Sequence, residues 1–425
     1  MAREQQLGYR RFRYEIVSTI GTTDVPGSRT FASVTVQNSF RLALVACVAA
    51  TSLAISGCKS VPVLTANEAS PLPVPSAVPE VKLVDSPVPF IDLPCADMIS
   101  EAELYAALGV TVSPAPPDRA DWDGMVNPRG FALESLGGLD CWWDNGQPQF
   151  VPGESYPESN PNFVGLHVQV LPNAAEEWKL YTEYYDQPDG TGYTCTPMQG
   201  DGLWPFCHAD ALRGATWIDF VLTGPPSTDL DTATNATRPL WDAAVSRIEA
   251  AQPSSQIYVP PTDVVPLTFS CAQFVTPEEA QKVLGTVNPP FLDGSDGGWS
   301  FKYSSDRLAT SFNCHWMAAD AREPEYYTFN GVGIANGYLS GGEWAFERLR
   351  EASPNRYDEL QLAGLGSGDT AHIDCGRADE CTLHLVIGHN WITFSRTEAE
   401  AEGAVPVGRQ SLIRLGELTA ARLRG

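Results

Sequence analysis

Cysteine, histidine and tryptophan are the residue types here whose spacing could do chemistry; there are 10, 6 and 11 of them in 425 residues. Cys375, Cys381, His384 and His389 lie within 15 residues of one another, and two thiolates with two imidazoles make a valid zinc set. Two features oppose that reading. His384 and His389 are five apart, which in a regular strand sends them to opposite faces. The earlier cysteines Cys195 and Cys207 have no histidines at matching offsets. No metal and no cofactor is therefore expected. Ser367 lacks the first glycine of a Gly-x-Ser-x-Gly elbow. Gly331-Val332-Gly333-Ile334-Ala335-Asn336 lacks the third glycine of a dinucleotide loop. The aspartates of 121–124 and 293–297 are too few for a calcium loop and suit turns. Among 52 acidic residues no general acid–base pair stands out, so no catalytic residue is nominated. Trp122, Trp204 and Trp299 fall in loop-like sequence and are the candidates for ligand contact, with carbohydrate as the ligand class. Trp143, Trp178, Trp217, Trp241, Trp316, Trp344 and Trp391 fall in helix or strand patterns and are expected in the core.

Charge narrows the partners. The chain carries 27 basic and 52 acidic residues, a net of −25, which excludes a nucleic-acid surface because nothing neutralises phosphates. Residues 91–250 hold 6 basic and 24 acidic residues, net −18; residues 267–425 hold 13 and 21, net −8. A protein partner of the first region is expected to be basic, with salt-sensitive association; a cell-wall component is the other candidate.

The N-terminus reads as an address. Leu42 to Ile55 is an apolar run of 14 residues, short for a membrane span of roughly 20 and right for a secretory signal core. Arg41 precedes it, and Ile55-Ser56-Gly57-Cys58 follows in the manner of a bacterial lipobox. Cleavage before Cys58 would leave a lipidated, palmitate-bearing cysteine holding the protein on the extracytoplasmic face of the membrane. The 1–57 segment is thus a cytoplasmic extension plus signal peptide. Its unusual length fits either a true start at Val34 or Val36 or a long n-region. Residues 58–90 are rich in proline and read as a tether.

The elements that must position the cysteines repeat. Residues 91–251 open with Cys95, a Ser100-x-x-Glu103 capping box and Leu108-Gly109; residues 267–425 open with Cys271, Thr276-x-x-Glu279 and Leu284-Gly285. A proline-rich linker, 252–266, separates them. Cys141-Trp142-Trp143 corresponds to Cys314-His315-Trp316. Strand patterns follow at Val164 to Leu171 and Tyr327 to Ala335, then amphipathic helices at Ala174 to Tyr185 and Glu343 to Ala352. Strands are expected again at Ala215 to Leu222 and Thr382 to Phe394, and closing helices at Thr237 to Ala250 and Gly408 to Leu423. The fold class is α+β: two tandem domains, each a mainly antiparallel sheet with helices on one face. Eight cysteines outside the leader, four per repeat, allow three pairings in each domain. The matched separations select Cys95–Cys141, Cys195–Cys207, Cys271–Cys314 and Cys375–Cys381. Trp143 and Trp316 should be buried beside the long cross-links, with Trp142 and His315 facing the other way.

The cysteine-opened capped helix, the Cys-x-Trp strand and Gly364-Leu365-Gly366 before a strand resemble a family of actinobacterial envelope lipoproteins built on a cysteine-rich domain of unknown function. The resemblance covers 91–251 and 267–425 once each, and departs from the pattern at Gly190-Thr191-Gly192. It implies a location and an architecture, with no catalytic residues. The expected function is a non-catalytic ligand- or partner-binding module of the cell envelope. The alternatives are an envelope hydrolase, or a metal or ligand sensor using the second domain.

Overall fold

The computed structural model describes residues 82–115, 126–149, 160–185, 192–197, 205–224, 229–284, 291–293, 300–319, 329–377, 380–398 and 408–425. The leader, Cys58, most of the tether, Trp122, Trp204, Trp299, the 121–124 aspartates and Asp296 lie outside them.

Two antiparallel sheets carry the fold. The first is built from β2 (Ser113–Ala115), β3 (Leu139–Asp144), β4 (Gly165–Leu171), β5 (Thr194–Pro197), β6 (Pro205–Arg213) and β7 (Thr216–Thr223), in spatial order β2-β3-β4-β7-β6-β5. The second is built from β9 (Phe291–Asp293), β10 (Ser311–Ala319), β11 (Phe329–Leu339), β12 (Asp358–Glu359), β13 (Thr370–Arg377), β14 (Glu380–Ile387) and β15 (Asn390–Glu398). Its order, β9-β10-β11-β15-β14-β13-β12, repeats the first with one added edge strand.

The inner face of each sheet is buried against helices. Cys141, Trp143, Val168, Phe220 and Leu222 meet α1 (Glu101–Leu108) and α4 (Leu230–Ala250). Cys314, Trp316, Ile334, Leu385 and Phe394 meet α5 (Pro277–Leu284) and α7 (Arg409–Arg424). Period-two burial in β3 puts Cys141 and Trp143 inside and Trp142 at the surface. The α1 helix starts at a complete capping box on Ser100 and Glu103 and stops at Gly109 in the left-handed region, φ 69°. Thr276 and Glu279 exchange the same two bonds, 2.8 and 3.3 Å.

The closing helix returns to this cap in both halves. Arg247 clamps both oxygens of Glu103 at 2.7 and 2.9 Å and donates to the Met98 carbonyl at 2.7 Å. Arg422 does the same to Glu279, at 2.7 Å to each oxygen, and to the Phe274 carbonyl. Disulfides join Cys95–Cys141 and Cys271–Cys314, tying the opening turn to the Cys-x-Trp strand, and Cys195–Cys207 and Cys375–Cys381. Cys195 and Cys207 are directly opposed on neighbouring strands, so their Cα atoms come within 3.9 Å, closer than the 4.4–6.8 Å usual for a disulfide.

Four stretches differ from the sequence expectation. The α4 helix starts at Leu230, not Thr237: Asp229 caps it at 2.8 Å from the Thr232 amide, and Pro239 is accommodated inside. The apolar stretch Thr382 to Phe394 is two strands, because Gly388 and His389 both take positive φ, 52° and 65°, the signature of a tight hairpin turn. Two helical segments were not anticipated: the 3-10 turn Pro128–Phe131 running into α2 (Ala132–Ser135), and α6 (Phe301–Leu308).

Those two segments lock the halves together. Phe131 packs edge-on against Trp391 and Trp344 of the second half, at 5.4 and 6.0 Å between ring centres. Phe301 packs edge-on against Trp217 of the first, at 5.3 Å. Arg129 and Asp306 form a buried ion pair across the junction. Arg348 clamps Glu134 at 2.6 and 2.9 Å, and Arg307 bonds Glu177, at 3.0 Å through Nε. The proline-rich linker is docked rather than free: β8 (Gln256–Tyr258) pairs in parallel with β1 (Lys82–Val84), and Asn390 holds the Val265 carbonyl at 2.8 Å. From residue 82 on, the chain is one compact unit.

Candidate functional site

The outer face of the first sheet changes character along its length. Leu171, Trp217 and Leu212 form an apolar row covered by α3 (Ala175–Tyr185) and Phe301. The next row, read across four strands, is Asp140, Gln169, Asp219 and Asp210. The row beyond it is Trp142, His167, Val221 and His208.

Asp210 and Asp219 are directly opposed, 3% and 13% exposed. Like charges in that relation destabilise a sheet, so their surroundings matter. His208 Nε2 is 2.9 Å from Asp219 Oδ1, and Tyr181 of α3 donates to Asp210 Oδ2 at 2.6 Å. Burial works against a charged His208, but the bond to Asp219 and the fields of Asp219 and Asp210 outweigh it and raise its pKa above the ordinary value. Burial and the Asp210 bond together push the Tyr181 hydroxyl far up, so it stays protonated and donates to Asp210. The neighbouring pair, His167 and Asp140, is 2.5 Å apart, with the Trp142 ring edge-on to His167 at 4.7 Å. Tyr184 and Tyr185 stand exposed at the end of α3, with Tyr185 5.0 Å from Tyr181. The face therefore offers carboxylates and imidazoles framed by aromatic edges.

The residues considered for zinc are not brought together. Cys375 and Cys381 are bonded to each other, leaving no thiolate. His384 is buried and packs against both Phe346 and Trp391, which also touch each other, accepting from the Trp391 indole at 3.3 Å. His389 sits in the β14–β15 turn, held by Glu343 and, at 3.0 Å, by Asp263. Ser367 lies in the turn before β13, and Gly331 to Asn336 lie within β11. Elsewhere, a cleft lined by Phe90, Arg213, Thr216, Ile248 and Glu249 holds one exposed ion pair, Arg213–Glu249 at 3.1 Å.

Sequence reasoning missed the His208, Asp210 and Asp219 cluster. The signal was present. Cys207 marks the inner face, so His208 and Asp210 must both point outward. A two-residue turn at Gly214-Ala215 pairs Arg213 with Thr216, which places Asp210 opposite Asp219. No family model, no curated protein and no solved structure matches this chain. Among the described residues, no helix is long and apolar enough to cross a membrane.

Proposed function

We propose that this chain is a lipid-anchored protein on the extracytoplasmic face of a bacterial cell membrane. In this reading it is kin to the actinobacterial envelope lipoproteins, arose by duplication of one domain, and binds a ligand or partner without catalysing a reaction. One observation carries the location: four disulfides follow an apolar run that leads into Ser56-Gly57-Cys58, and disulfides persist in oxidising compartments. Two acyl chains on Cys58 would suffice for stable attachment. The matched caps, arginine clamps and strand order support duplication. The outer face of the first sheet supports binding, since it presents polar and aromatic groups that the helices leave accessible.

The test is metabolic labelling with palmitate in a bacterial host. Wild type should take up label and stay with the membrane. Cys58→Ala should carry no label and be released or remain unprocessed. A Cys58→Ala protein that is membrane-bound with its leader removed overturns the reading.

A further inference from the structure

We propose that His208, Asp210 and Asp219 bind one divalent transition-metal cation of the zinc class, a site on the outer face of the first sheet. The proposal rests on the reading of that face as the binding surface and names what it binds first.

The donor set is complete enough for an ion. One imidazole nitrogen and two carboxylate oxygens, one from each side chain, lie within 4.8 Å of one another. Zinc binds such ligands at roughly 2.0–2.2 Å, and sites that keep an open position use three protein ligands. Sharing an ion would draw the three atoms together by a rotamer-scale adjustment. One imidazole beside two carboxylates suits zinc and its neighbours better than calcium or magnesium, which take oxygen alone. Charge points the same way, since a divalent cation among these atoms would lie between two directly opposed carboxylates. The Tyr181 hydroxyl on Asp210 has the place of an outer partner that orients a ligand.

The second half removes the bland explanation that the sheet needs carboxylates there. At the same register positions, where Asp210 faces Asp219, β14 and β15 place His384 opposite Thr393. That pair is buried and neutral, and the sheet is whole. The other acid–histidine cluster, His389 with Glu343 and Asp263, contacts its two acids through different ring nitrogens, so it bridges them instead of converging on one point.

The experiment uses the full chain, stripped with a chelator and titrated with Zn2+ by calorimetry and with Co2+ by visible absorption. One equivalent should bind, with a Co2+ spectrum showing nitrogen and oxygen ligands. Asp219→Asn, close in shape, should weaken binding at least tenfold. His208→Gln should do so too and remove the nitrogen signature, and Tyr181→Phe should weaken it about tenfold. His389→Gln should leave binding unchanged. Circular dichroism of each stripped variant separates lost ligation from lost folding. Absence of stoichiometric binding by the folded wild type overturns the proposal, as does binding that survives His208→Gln and Asp219→Asn but is lost in His389→Gln. Either failure leaves the anchoring result intact, because palmitate labelling does not depend on this site.

Discussion

The same two sheet positions hold opposed carboxylates in one half and a stacked, neutral histidine in the other. In the first half Asp210 faces Asp219, and His208 is pushed toward its charged form. In the second, His384 faces Thr393; burial, aided by His372 and Arg356, lowers its pKa to about 3. Around this difference the frames agree: cross-link, capping box, arginine clamp and strand order. The inner face is held by the needs of packing. The outer face differs between the halves at these positions.

The largest effect should come from breaking the junction that the frames share. Arg129→Ala removes the cation paired with buried Asp306, 1% exposed, and unfolding by denaturant should show a loss of about 3–5 kcal/mol. Replacing both residues by leucine should recover most of that.

Next come the cross-links. Removing Cys95–Cys141 or Cys271–Cys314, whose partners are 46 and 43 positions apart in sequence, should each cost about 4 kcal/mol in the chain-entropy model, and the short Cys195–Cys207 about 3. Non-reducing peptide mapping with thermal melts checks both. Unequal losses for the two long links would show that the halves are less alike in energy than in form.

A smaller effect concerns acid. The Arg247 bond holds the Glu103 carboxyl down at about 2, against an ordinary 4.5. A depressed carboxylate adds stability that is fully present above its unfolded pKa and lost as pH falls through the folded one. Wild type should therefore lose this contribution between pH 4.5 and about 2, and Arg247→Ala should flatten that part of the curve. Arg422→Ala should act in the same direction through Glu279, whose carboxyl is also held low.

The smallest effect sharpens the comparison most. Asp210→His with Asp219→Thr gives the first sheet the pair found in the second. Stability of the metal-free protein should change by less than about 1 kcal/mol. In chelator, His208 followed by NMR should titrate below its ordinary value, because burial remains and the carboxylates are gone.

Much of this frame was legible. Cysteine separations, two Ser/Thr-x-x-Glu boxes and period-two strands are local signals, and each has a local physical cause. The junction was not legible, because the Pro128–Ser135 and Phe301–Leu308 segments are too short to show a helical period. Their only marks are caps, Asn127 before Pro128 and Ser300 accepting from the Tyr303 amide. The acidic row was lost for the opposite reason: with so many aspartates, only strand register singles out Asp210 and Asp219.

The docked linker also fixes a load path. Any pull on the chain before Lys82 enters the body through β1, whose partner is neither sheet but β8, between the halves. Lys82 to Ser255, Ser254 to Phe90, and Asp92 to Gln252 are each bonded at 2.9 Å. Force along these extended segments shears several such bonds together instead of peeling them one at a time. Because β1 and β8 form a two-stranded sheet of their own, the pull meets this pair before it reaches an edge strand of either large sheet.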